Sequence, residues 1–195
     1  MRIGIFGGSF NPIHYAHINI ARYILKKLQL DKLIVIPVGK ASHKNVKMAD
    51  PQLRLEMCRK AFETDEKITV SDIEIKSNKV SYTVDTLKKL ISLYGGHNEF
   101  YEIIGEDSAD TLDTWKNYKD ILKLSKIVVF RRAQYKNIIH NKNILYLDTP
   151  LYELSSTMIR QKINKNEDVS QYIPKEVFEI ISKNNLYKQD RKEDL

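Results

Sequence analysis

The sequence predicts an α/β domain built on a parallel sheet with helices on both faces. Short apolar runs alternate along the chain with amphipathic stretches at helical spacing. Several of those runs stop abruptly at glycine or proline before a polar loop, as a buried parallel strand does when it reaches a ligand-binding edge. No repeat, low-complexity linker or composition break marks a second unit, so one domain is expected over 1–188, followed by a charged tail at 189–195.

The first apolar run, Ile3 to Phe6, reads as a strand ending in Gly7-Gly8-Ser9, and Ala16 to Leu28 reads as a helix with Ile18, Ala21, Ile24, Leu25 and Leu28 on one face. A second strand, Leu33 to Pro37, is stopped by Pro37 and Gly39, and the polar, basic stretch 40–50 reads as a mobile loop. Pro51 to Phe62 follows as a helix and Ile68 to Ile75 as a strand. Thr83 to Tyr94 is a helix with Ser81 or Thr83 as its cap and Gly95-Gly96 as its stop. Strands are then expected at Phe100–Ile104, ending in Gly105, at Ile127–Phe130 and at Ile144–Leu147; helices at Ser156–Lys165 and Pro174–Lys183 complete the order.

At 42% hydrophobic residues the 195-residue chain can bury a continuous core. No apolar run reaches the ~20 residues of a membrane span, and no signal-peptide pattern opens the chain, so no membrane association is expected. Cys58 is the only cysteine, which excludes an internal disulfide and fits a reducing cytoplasm; its place in RLEMCRKAF makes it a small core residue. The net charge is +7, but the lysines are dispersed among Ile, Asn and Tyr, as in NKNILY and SKNNLYKQ. That pattern reads as compositional bias and a solvated basic surface; no nucleic-acid partner is expected. A homo-oligomer is compatible with the sequence, which sets no subunit count.

The chemistry concentrates at strand ends. There is no GxxxxGK[ST] and no GxGxxG. Instead, GGSFNPIHYAH joins a strand, a glycine turn and a helix start. Gly7, Gly8, Ser9 and Phe10 let the backbone and the helix N–H groups approach a phosphate. His14 and His17, at i and i+3, share one helix face and can reach the same phosphate. A zinc site needs further ligands, and no HExxH or CxxC supplies them. A second helix start, LSSTMIR, carries Ser155, Ser156 and Thr157, with Arg160 one turn inside. Capping alone explains hydroxyls there. The alternative uses the same N–H groups and the planar guanidinium for the outer phosphates of a nucleoside triphosphate.

GGSFNPIHYAH resembles the GGxFNPxHxGH signature, and LSSTMIR the ISSTxIR signature, of the HxGH nucleotidyltransferases, Rossmann-like enzymes that transfer a nucleoside monophosphate. The FNP form is similar to that of the bacterial nicotinate mononucleotide adenylyltransferases; relatives acting on phosphopantetheine or glycerol phosphate usually carry GTFDP. The resemblance runs to YIPKEVFEIISKNNLY, like the family's last helix. It implies further roles. SYTVDT resembles the YTxDT segment, in which Thr83 and nearby N–H groups would receive a pyridine carboxylate. IGEDS resembles an IGADS-type segment, placing Gly105 and Asp107 by the ATP ribose and phosphates. TLDTWKNY places Trp115 where the family stacks an indole on the pyridine ring. Lys44 in ASHKN resembles the lysine of a PHK loop, and Arg132 in FRRAQ the arginine of an RPG segment; either could equally be a surface charge. Four positions depart from the pattern: Ala16 for glycine, Ser42 for proline, Ala133-Gln134 for Pro-Gly, and Glu106 for alanine, which is expected to face outward.

The implied reaction joins ATP and nicotinate mononucleotide to give nicotinate adenine dinucleotide and pyrophosphate, by in-line attack without a covalent intermediate, a step in NAD biosynthesis. Mg²⁺ is expected to arrive on the ATP phosphates. The alternatives are an adenylyl- or cytidylyltransferase of the same superfamily with another acceptor, nicotinamide mononucleotide or phosphopantetheine, and a non-catalytic nucleotide or nucleic-acid binder.

Overall fold

A computed structural model describes residues 1–40, 48–77, 79–131, 141–150 and 152–188. Its centre is a six-stranded, all-parallel sheet: β1 (Arg2–Gly8), β2 (Lys32–Pro37), β3 (Ile68–Val70), β4 (Glu99–Gly105), β5 (Lys126–Arg131) and β6 (Ile144–Asp148). The order across the sheet is β3-β2-β1-β4-β5-β6, a doubly wound, Rossmann-like arrangement. The order reverses between β1 and β4, so a crevice opens beyond the carboxyl ends of these two strands.

Seven helices cover the sheet among the described residues: α1 (Tyr15–Lys27), α2 (Pro51–Ala61), α3 (Thr83–Tyr94), α4 (Glu106–Ala109), α5 (Tyr118–Leu124), α6 (Ser156–Asn164) and α7 (Lys175–Lys183). Two cores result, because successive strand side chains point to opposite faces. On one face Phe6, Val35, Tyr101, Ile103 and Val128 pack with α1, α2, α6 and α7; on the other Ile5, Ile34, Ile104 and Val129 pack with α3 and α5. Cys58 is fully buried in the first core, where burial pushes its thiol pKa up, so it packs as an apolar residue.

Two local expectations are corrected. The third strand ends at Val70, not Ile75: Ser71 N–H still reaches the Val35 carbonyl, but Ser71 Oγ then accepts from Ile73 N, and the chain turns. Neither Ser81 nor Thr83 caps α3; Tyr82 holds the cap position in extended conformation, without a side-chain bond. The segment between β4 and β5, which shows no long apolar period, folds as α4, a 3₁₀ turn at Leu112–Thr114 and α5. Lys44 and Arg132 lie outside the described residues, as does the 189–195 tail.

The loops that follow β1 and β2 are tied by Arg54, whose side chain has no solvent exposure. Its guanidinium donates to the carbonyls of Ala49 at 3.0 Å, Ser9 at 2.8 Å and Val38 at 2.8 Å. A buried charge is tolerated only when its donors are satisfied, and here the planar fork meets backbone oxygens. Asp50 starts the helix that carries it, accepting from Gln52 N at 2.8 Å with Pro51 next in line. Arg54→Met keeps the stem and strands these carbonyls. It is expected to lower the unfolding free energy by about 2–4 kcal/mol, read as a fall in the urea midpoint. An unchanged midpoint would show that the guanidinium does not hold the loops.

Candidate active site

The crevice at the switch point is a cleft of about 670 Å³. Its wall begins with the turn after β1. A Cβ on Gly7 would meet no heavy atom within 4 Å, whereas one on Gly8 would lie 2.9 Å from the Phe10 ring. Glycine at position 8 is therefore what allows Phe10 to fold back beneath the turn. Phe10 itself is buried with φ of 44°, a left-handed conformation that costs a bulky residue about 1–3 kcal/mol. Its ring meets Phe6 edge-on at 5.6 Å and His17 edge-on at 5.1 Å.

The next residues are fixed from several sides. Asn11 Oδ1 accepts from Ala49 N at 3.0 Å and from the Tyr187 hydroxyl at 2.9 Å. The Asn11 carbonyl accepts from Arg160 Nη1 at 2.9 Å, and the Pro12 carbonyl from Ser156 Oγ, also at 2.9 Å. The start of α6 thus faces the glycine turn across a shared strip of backbone.

His14 is the residue that precedes α1, and its side chain makes no cap bond. The spacing of three puts its ring on that of His17, with centroids 3.8 Å apart and planes 28° from parallel. His17 faces the cleft, and His14 is buried behind it. The Nδ1 atoms of both rings are buried without a hydrogen-bond partner. Burial lowers the His14 pKa to about 4; burial, with His14 adding, holds His17 well below its usual value. Both imidazoles are therefore neutral at pH 7, each with one N–H to donate.

At α6 the three hydroxyls have separate uses. Ser155 accepts from Met158 N at 3.2 Å and caps the helix, outside the cleft wall. Ser156 is held by Pro12, and Thr157 Oγ1 accepts from Arg160 Nη2 at 3.1 Å. Ser156, Thr157 and Arg160 all line the cleft, as do Gly105 and Asp107 from the β4–α4 junction. Glu106 does not face outward: it is only partly exposed, its Oε1 is buried, and it acts electrostatically on Arg131. Its alanine counterpart could not make that interaction.

The other end of the cleft is formed by Thr83 and Trp115. In the first turn of α3 the Asp85 N–H already donates to the Tyr82 carbonyl at 3.0 Å, which leaves the N–H groups of Thr83 and Val84 without a helical partner, and the Thr83 hydroxyl is not spent on capping. Trp115 follows the 3₁₀ turn and packs against the second core.

Sequence reasoning missed four residues that build or line this site. Arg54 sits in a helix whose apolar pattern hid it. Tyr187 lies beyond the last helix. Glu102 interrupts the otherwise hydrophobic run FYEIIG, a signal that was readable. Glu74 had no such signal, because it lies in the turn mistaken for strand.

The comparisons agree with this geometry. Residues 5–162 match the family model described as cytidylyltransferase-like. A probable nicotinate-nucleotide adenylyltransferase of Fusobacterium nucleatum is 49% identical, covering 94% of this chain and 98% of its own. One of Clostridium acetobutylicum is 42% identical, with coverage of 94% and 97%. The fold superposes with a TM-score of 0.79 on the Plasmodium falciparum nicotinic acid mononucleotide adenylyltransferase complexed with NaAD, at 23% identity and with 95% and 97% of the two chains covered. The chain belongs to the cytidylyltransferase-like family and, within it, to the nicotinate-nucleotide adenylyltransferases.

Proposed function

We propose that this protein transfers the adenylyl group of ATP to nicotinate mononucleotide, giving nicotinate adenine dinucleotide and pyrophosphate. The observation that carries the reading is the meeting of two helix starts over one strip of backbone. Ser156 and Arg160 of α6 bond to the Pro12 and Asn11 carbonyls, immediately before the histidine pair of α1. N–H groups, a guanidinium and neutral imidazoles then face a single ligand. The relatives in Fusobacterium and Clostridium carry the same activity in their names.

In this reading the 5′-phosphate of the mononucleotide attacks the α-phosphorus of ATP in line, and pyrophosphate departs. The nucleophile is already anionic at pH 7, so alignment and charge stabilisation supply the catalysis. His17, backed by His14, donates to the phosphates as charge shifts toward the leaving group. Arg160, Ser156 and Thr157 receive the pyrophosphate, while Ser155 fixes the helix start that presents them. Gly7, Gly8, Ser9 and Phe10 line the path between the substrates, with Gly105 and Asp107 on the nucleotide side. Thr83 and Trp115 take the pyridine ring. Mg²⁺ would be carried by ATP and would offset the phosphate charge; Arg160, Ser156 and the imidazole of His17 suit the phosphates themselves, and among the described residues Asp107 is the one carboxylate placed on the nucleotide side. The single domain over 1–188 is part of the same proposal.

Pyrophosphate release with ATP and nicotinate mononucleotide, measured beside nicotinamide mononucleotide and phosphopantetheine, tests the reading. Turnover favouring phosphopantetheine would overturn it. His17→Ala is expected to keep the fold and lower kcat by about 10²–10³, the usual loss for one donor to developing charge; steady-state turnover near wild type would remove the imidazole from the mechanism. Thr83→Val is expected to erode the preference for nicotinate over nicotinamide mononucleotide by roughly tenfold, the loss of one hydrogen bond to a charged group. The ratio of the two kcat/KM values checks this, and an unchanged ratio would show that Thr83 does not contact the carboxylate.

A further inference from the structure

The mononucleotide end of the cleft holds a carboxyl that the reaction above leaves unused. Glu102 lies in the middle of β4 beside Ile5 of β1, in a strand that is otherwise hydrophobic from Phe100 to Ile104. It is 5% exposed, and its Oε2 is buried without a hydrogen-bond partner. The residue nevertheless forms part of the cleft wall together with Thr83 and Trp115. A buried polar atom left unpaired is costly, and a carboxyl on a cleft wall that carries one has a bond to gain when a ligand arrives.

The neighbouring groups define what that ligand can be. Glu74, from the turn after β3, also lines the cleft, and Thr86 Oγ1 donates to its Oε1 at 2.7 Å. Thr86 is one helical turn beyond Thr83, so this bond sets Glu74 close to the same helix start. Lys89, further along α3, acts on Glu74. Burial, reinforced by Glu74, pushes the Glu102 pKa well above the usual carboxylate range. Burial with no cationic partner favours the protonated carboxyl, the form that has an O–H to give. An ionised Glu102 would repel an anion, whereas the neutral acid attracts one; the Glu74 charge is met by the Thr86 hydroxyl and offset by Lys89. With the Thr83 hydroxyl and the N–H groups of Thr83 and Val84, it makes a set of donors in a cleft that Trp115 also lines, which fits a planar carboxylate.

We propose that Glu102 is a substrate-binding residue that donates a hydrogen bond from its carboxyl O–H to the pyridine carboxylate of the mononucleotide, an inference that rests on the adenylyl-transfer reading above.

The test is a set of steady-state constants at pH 7.5 for the wild type, Glu102→Leu and Glu102→Gln, with each substrate varied in turn. Leucine fills the same space without a donor and is expected to raise KM for nicotinate mononucleotide about tenfold, with kcat and the KM for ATP within about twofold of wild type. Glutamine keeps an N–H donor and is expected to hold that KM within about threefold of wild type. Glu102→Met replaces the leucine variant if the latter does not fold. The proposal is overturned if the apolar variant leaves the mononucleotide KM unchanged, if glutamine raises it as much, or if the KM for ATP climbs by the same factor. A wild type inactive with nicotinate mononucleotide overturns both the reaction and this assignment, whereas an active wild type indifferent to Glu102 overturns the assignment alone.

Discussion

The site depends on the backbone carbonyls of Ser9, Asn11 and Pro12 being taken up by donors from elsewhere in the fold. Arg54 takes Ser9, Arg160 takes Asn11 and Ser156 takes Pro12, while the Asn11 side chain is held by Ala49 and Tyr187. Each donor comes from a different part of the chain or from a different turn of one helix, so no single element fixes the loop. Arg54 does the most: the same guanidinium joins the ends of β1 and β2 and the approach to α2. A lysine would offer a point charge where a planar fork is needed to span those oxygens.

This tethering explains why two unfavourable features persist. Phe10 keeps a left-handed backbone, and two imidazoles remain stacked, buried and neutral with unpartnered ring nitrogens. Each is costly alone, and each survives because the surroundings over-determine it. The neutral rings stand at the positive end of the α1 dipole, where a further charge is disfavoured until an anion arrives. In the proposed reaction the histidines thus answer to phosphate rather than to bulk pH.

Much of this was legible in the sequence, for physical reasons that differ by element. The central strands β1, β2, β4 and β5 are largely buried on both faces and read as near-continuous apolar runs, and the long helices show their apolar stripes. The histidine pair and Arg160 were readable because the first turn of a helix brings neighbours at i+3 and i+4 together wherever the rest of the chain goes. What resisted reading was long-range pairing. Arg54 looked like any helix-surface arginine, because nothing local announces that the carbonyls of Ser9 and Val38 will meet its guanidinium. Glu74 lay in a turn created by a serine side chain, and α4 and α5 are too short for periodicity to show. Thr83 was read as a cap through its residue type, yet Tyr82 holds that position and leaves the hydroxyl unspent.

The bond between Tyr187 and Asn11 joins positions 176 apart in the chain. During synthesis, strands β1 and β2 and the helix between them can emerge and pair while Tyr187 is still inside the ribosome. The loop at residues 9–12 then lacks one of its tethers until Tyr187 has emerged, so the last fixing of that loop is a late folding event, coupled to the docking of the segment after α7.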